Sequence, residues 1–265
     1  MLSTHFGRVL PILILPLVLV GCLGSSSTGT SAAATSAAGG SSIPGSSSTA
    51  EPPTSAPATT GGQTANDGCT KNGQAIPKGA GRASSPDLDH DGKRDTVWLS
   101  DSGTTRRLGV KTASGATFST TFTSASPQAA SAIGQRLGDG SEIILLNTGR
   151  SVQLYAVVNC QIVVSKNAQG KQYSFDLGFT GFGTGVRCVN VGRGLQVAGM
   201  LAEPDADSKF TVYRTRVALS DQGRQARNTA RQTLATKAAA DSGVVKSAQT
   251  VTCGSGNPGA DEPES

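Results

Sequence analysis

Between Asp87 and Asp95 the chain reads DLDHDGKRD. Counting Asp87 as the first position, aspartates stand at the first, third, fifth and ninth, and Gly92 at the sixth. Alternate residues of a tight loop point to one side, so three carboxylates converge. Glycine permits the sharp turn that offers the Lys93 carbonyl to the same point. Hard, anionic oxygen at this density suits Ca2+, which takes roughly six to eight oxygen ligands. An EF-hand would close with a bidentate Glu at the twelfth position; Trp98 stands there, so closure falls to Asp95 instead. Without an ion the stretch is an Asp-rich turn whose carboxylates repel, offset only in part by Lys93 and Arg94. His90, between two of the aspartates, is expected to face solvent.

Little else in the chain has the composition of a catalytic site. There are two histidines, His5 and His90, and His5 lies in the leader described below. A Ser-His-Asp site would have to be built on His90, inside the aspartate loop. Neither G-x-S-x-G nor H-E-x-x-H occurs. GFTGFGTG at 178–185 lacks the Lys-Ser/Thr of a P-loop and reads as a turn. Asp176, Glu142, Glu203 and Asp205 are available as carboxylates, but nothing in the sequence pairs them. The expectation is a protein without catalytic activity.

Net charge is +5 with a pI near 9.1, from few acids rather than many bases. Arg214, Arg216, Arg224, Arg227 and Arg231 crowd one region and read as a solvated basic edge. Nucleic acid is not an expected partner.

The elements that must position the loop are strands. TVWLS (96–100), RRLGVKT (106–112), ATFSTTF (116–122), EIILLN (142–147), VQLYAVV (152–158), QIVVSK (161–166) and KQYSFDL (171–177) are short β-branched or alternating runs between turn residues. VRCVNV (186–191), LQVAGML (195–201) and FTVYRTRVALS (210–220) continue the series. Only 128–136 and 226–240 look locally helical. Gly92, Gly140 and Gly194 each precede an apolar strand, in HDGKRDTVWL, LGDGSEIILL and VGRGLQVAGM. The period suggests three four-stranded units. The second unit keeps only Asp139 of the loop and the third only Asn190, so neither is expected to bind an ion.

The ends differ in kind. An apolar run from Val9 to Val20 is too short to span a bilayer and fits a signal peptide over 1–21. Residues 22–67 are nearly all Ser, Thr, Ala, Gly and Pro, with almost nothing to bury, and read as a disordered tether. Residues 68–253 form the expected domain, and 254–265 a disordered tail. Apart from Cys22 the cysteines are Cys69, Cys160, Cys188 and Cys253, an even set suited to an oxidising compartment. Three pairings are open; Cys160–Cys188, joining neighbouring units, with Cys69–Cys253, closing the domain, is the favoured one. No CxxC spacing points to zinc.

Two resemblances follow. Leu19-Val20-Gly21-Cys22 resembles a bacterial lipobox, which implies a lipoprotein with Cys22 diacylated and held at the outer face of the cell membrane. D-x-D-x-D-G-x-x-D leading into a strand resembles the calcium loop of FG-GAP and VCBS repeats, the blades of integrin-like propellers. That resemblance implies Asp87, Asp89, Asp91, the Lys93 carbonyl and Asp95 as ligands of one structural Ca2+. It also implies an all-β fold of three propeller-blade-like repeats. Three are fewer than the usual four to eight blades, so the ring is either truncated and disulfide-closed or completed by partner chains. The expected function is binding or adhesion at the envelope, to a wall polymer or another envelope protein. The alternatives are a cell-wall carbohydrate-active enzyme and an accessory subunit of an envelope complex.

Overall fold

The computed structural model describes residues 68–102, 105–124, 126–178, 184–255 and 258–263. The chain divides into Met1–Ala58 and Thr59–Ser265, and every described residue belongs to the second unit. The readings of 1–67, Cys22 included, and of 179–183 lie outside the described residues.

The domain is built of strands, as alternation and β-branching require. The first sheet is the antiparallel meander β1 (Gly81–Ser85), β2 (Asp95–Asp101), β3 (Arg106–Lys111) and β4 (Thr117–Phe122). The second uses β5 (Ser131–Arg136), β6 (Glu142–Asn147), β7 (Ser151–Val158), β8 (Gln161–Val164) and β9 (Ser174–Asp176), with β9 paired to β7. The third runs β10 (Thr184–Asn190), β11 (Leu195–Pro204), β12 (Phe210–Ser220) and β13 (Gln225–Ala238). A short helix, α1 (Gly243–Ala248), leads to β14 (Val251–Cys253), which lies parallel beside β10. β15 (Ala260–Asp261) joins the second sheet at β5.

Alternating side chains place the core in two layers. Val97, Leu99, Leu108, Val110 and Phe122 of the first sheet meet Ile144, Leu146, Tyr155 and Val157 of the second. Ile143, Leu145, Val152 and Leu154, on the opposite face of the second sheet, meet Val186, Val197 and Val217 of the third. The second sheet is therefore central, and it reads accordingly: Ile143 to Leu146 are all 0% exposed, a run that shows no alternation because both faces are covered. The outer face of the third sheet is covered in part by α1, with Val245 and Ala248 against Met200, Ala202 and Val212.

Four expectations are corrected. The three sheets are not closed or curled as propeller blades; they have four, six and five strands, and the added strands β14 and β15 come from the C-terminal end of the chain. The segments with local helical character, 128–136 and 226–240, are mainly the strands β5 and β13. Alanine-rich composition favours a helix in β13, but pairing with β12 along most of its length overrides that propensity. The tail does not fray throughout. Ala260 is fully buried, and Glu262 caps Ala130 N–H while forming an ion pair with Arg106.

The fourth correction concerns the cysteines, all four of which are bonded, as Cys69–Cys160 and Cys188–Cys253. Register decides the second pair, because Cys188 and Cys253 are direct partners across β10 and β14. The first pair joins the start of the domain to the two-residue β7–β8 turn, where Asn159 and Cys160 both have positive φ, as a primed hairpin turn requires.

Candidate metal centre

The nine-residue aspartate stretch occupies the connection from β1 to β2. Its path is set by its own side chains. Asp87 Oδ1 accepts from Asp89 N–H at 3.1 Å and Asp87 Oδ2 from Gly92 N–H at 3.0 Å. Asp91 Oδ1 accepts from Lys93 N–H at 2.8 Å. These are the local side-chain-to-backbone bonds that make aspartate a turn former. Gly92 sits at φ +77°, where a β-carbon is strained.

Asp95 ends the loop and begins β2. It is 2% exposed, and its two oxygens accept from Leu88 N–H at 2.7 Å and Ala113 N–H at 2.9 Å. Asp89 Oδ2 accepts from Cys69 N–H at 2.8 Å and from Ser114 Oγ–H at 3.0 Å. Thus the β3–β4 turn and the first residues of the domain close over the loop. Gly68 passes so near that a β-carbon there would collide with Asp91 and Asp89.

Oxygens of Asp87, Asp89 and Asp95 lie within 4.8 Å of one another, a group that could hold a metal ion. Asp91 stands outside this trio. Its Oδ2 is nevertheless buried, with no hydrogen-bond partner among the described residues. Burial, reinforced by the charges of Asp89 and Asp91, pushes the Asp95 carboxyl up to about 6, against the pull of its two amide donors. Arg136 brings positive charge to the edge of the trio, with Nη1 3.8 Å from Asp87 Oδ2. Clustered carboxylates and one orphaned buried oxygen are what a bound cation would relieve.

His90 does not simply face solvent. It adopts φ +66° and sets Nε2 3.2 Å from Glu142 Oε2, at the start of β6 in the central sheet. Glu142 also faces Arg136 Nε at 3.3 Å. Burial raises the Glu142 carboxyl despite both partners. Beside this seam lies a cavity of about 300 Å3, bounded by Cys69, Asp89, His90, Glu142 and Cys160 among others. The sequence offered no local signal for Ser114 and Arg136, and none that would place the carboxylate of Glu142 here; all three arrive from other strands and turns.

The fold and the loop define a layered, mainly antiparallel β domain with a carboxylate cluster at the seam of two sheets. No protein-family model, curated protein or solved structure matches the chain. The resemblances to FG-GAP and VCBS repeats and to lipobox-bearing proteins are therefore corrected: the nine residues of the loop carry a local turn pattern without the family. Such a turn is dictated by aspartate and glycine chemistry, and a site of this kind can sit on unrelated folds.

Proposed function

We propose that this is an extracytoplasmic β module whose aspartate loop holds one structural Ca2+, and that it acts in binding or adhesion at the cell envelope, toward a wall polymer or another envelope protein. The observation that carries the ion is the convergence of Asp87, Asp89 and Asp95 beside the unpartnered Asp91 oxygen. Asp91 and the Lys93 carbonyl would complete an all-oxygen shell. Calcium suits it better than magnesium, which demands a smaller, octahedral site. The ion would neutralise the loop and fix its position against the central sheet; no catalytic step is assigned to it. Two disulfides support an oxidising compartment. The attachment of the module to the membrane through Cys22 rests on the sequence of the leader.

The test is thermal unfolding with calcium and with chelator, together with metal analysis of the purified protein. A ligand that binds only the folded state adds about 2.7 kcal/mol at a hundredfold excess over its dissociation constant. Asp89→Ala should abolish the calcium-dependent shift. Equal melting in calcium and chelator, with no metal in the protein, would reduce the loop to a turn. Fractionation of Cys22→Ser reads location separately: release from membranes is expected, and unchanged retention would remove Cys22 from the proposal.

A further inference from the structure

The outer face of the third sheet has a charge pattern that the calcium reading does not use. Val186, Val197 and Val217 point into the core, so their neighbours Arg187, Ala198 and Arg216 lie on the opposite face. Register aligns these three in one row: Arg187 pairs with Ala198, and Ala198 with Arg216. Two arginines thus flank a single alanine, two strands apart, or roughly 10 Å between their α-carbons. Ala198 is 0% exposed, as expected where long side chains lay their apolar stems over a small neighbour. Arg214 occupies the next row, opposite Met200, and Arg227 lies opposite Ala218.

Among the described residues, no ion pair is formed by Arg187, Arg214, Arg216 or Arg227. Within the strands β10, β11, β12, β13 and β14 themselves Glu203 is the single acidic residue, the aspartates of this region lying in the connections, and its pairing with Thr211 puts it on the inner parity. Arg216 Nη1 donates to Gln196 Oε1 at 3.3 Å, and Arg214 donates to Gln232 Oε1 at 2.9 Å. Glutamine orients a guanidinium without neutralising it. The Nε atoms of both Arg187 and Arg216 are buried and have no hydrogen-bond partner among the described residues. Both arginines are only half-buried, so part of each guanidinium remains open to an acceptor from outside. A guanidinium fork matches the oxygens of a phosphate.

We propose that this face binds a linear polyanion through its phosphodiester groups, one of them seated over Ala198 between Arg187 and Arg216. Arg214 and Arg227, on adjacent rows of the same face, would take neighbouring groups. A succession of cations along one face, beside the part that α1 covers, favours a repeating anion over a single small one.

Binding of a glycerol-phosphate polymer to the full chain tests this. Chelator is present throughout, so that failure of the calcium proposal leaves the result unaffected. Binding should be measurable at low salt and should weaken steeply as salt rises. Arg187→Gln/Arg216→Gln should weaken it at least tenfold. Arg216→Lys, which keeps the charge and loses the fork, should fall between. Lys71→Gln/Lys78→Gln removes the same charge near β4, where Asn72 and Gln74 bond Thr117, and should bind as the parent does. Equal binding by the two double variants would overturn the proposal. So would binding to phosphatidylglycerol vesicles without binding to the polymer, or no binding to either.

Discussion

Cys69 holds Asp89 with its main chain and Cys160 with its side chain. Its N–H donates to Asp89 Oδ2 at 2.8 Å, and its sulfur bonds the β7–β8 turn of the central sheet. The aspartate loop is thereby clamped from above by a covalent link to another layer. Replacing both cysteines, as Cys69→Ser/Cys160→Ser, should act twice. Losing a cross-link over 91 residues should cost up to about 4–5 kcal/mol in the chain-entropy model. The calcium-dependent rise in melting temperature should also shrink, because Asp89 loses a fixed donor. Unfolding of the variant with and without calcium checks both; an unchanged calcium shift would uncouple clamp from site.

The ion-free protein should become more stable as pH falls from about 7 towards 4. Asp95 is pushed up to about 6 from an ordinary value of 3.8, so over that window the folded state binds more protons than the unfolded one. Protonation relieves a burial cost, and Glu142, also raised by burial, acts in the same direction. Calcium should reverse the trend, because it favours the charged form. Asp95→Asn should flatten part of the pH dependence in chelator. It should also lower stability by about 1–3 kcal/mol, since its amide nitrogen cannot accept from Leu88 or Ala113. Denaturant unfolding at pH 5 and 7 is the measurement.

Glu262, just past the two-residue β15, should matter far more than so short a segment suggests. Its side chain is 1% exposed, pairs with Arg106 and accepts from Ala130 N–H at 2.9 Å. Arg106 in turn lies 4.9 Å over the Phe122 ring. Glu262→Ala leaves a largely buried guanidinium without its partner and should cost about 3 kcal/mol. Glu262→Gln, which preserves shape and one acceptor, should cost less. Urea unfolding of both variants tests the ranking, and equal small losses would mean that the tail is dispensable.

Gly194, at φ +99°, lies so close to Gly138 that a β-carbon would strike the Gly138 backbone. The contact joins the first turn of the central sheet to that of the third, where Gly138 N–H donates to Leu195 O at 2.9 Å. Gly194→Ala should destabilise by about 2 kcal/mol or more, through strain and lost apposition together. Gly140→Ala tests strain alone, since nothing lies within 4 Å of its added carbon.

Most of the strands could be read from the sequence because alternation and β-branching are local properties. Thr96 to Ser100 and Val152 to Val158 announce themselves in this way. The aspartate spacing was equally local, and three of its four carboxylates come together. β5 and β13 were not legible. Their alanines and polar residues favour no strand, and what makes them strands is the partner beside them. Disulfide pairing depended on β14 lying parallel to β10, a relation between residues 65 apart in sequence. β15 spans two residues, too few to show any period. Glu142 was visible as a carboxylate, but its pairing with His90 exists only because two sheets stack.

The cross-link from Cys69 to Cys160 also decides how the domain carries load. A pull on the chain ahead of Cys69 passes through sulfur into the β7–β8 turn, bypassing the residues between. Residues 70–159, with the whole first sheet and the aspartate loop, hang in a closed covalent loop that tension cannot draw out. The opposite end has no such guard until Cys253. A pull there would peel β15 and break the Glu262 pair first, then meet the bond to Cys188. The two ends of the domain should therefore yield at different forces, the C-terminal one first and by a short extension.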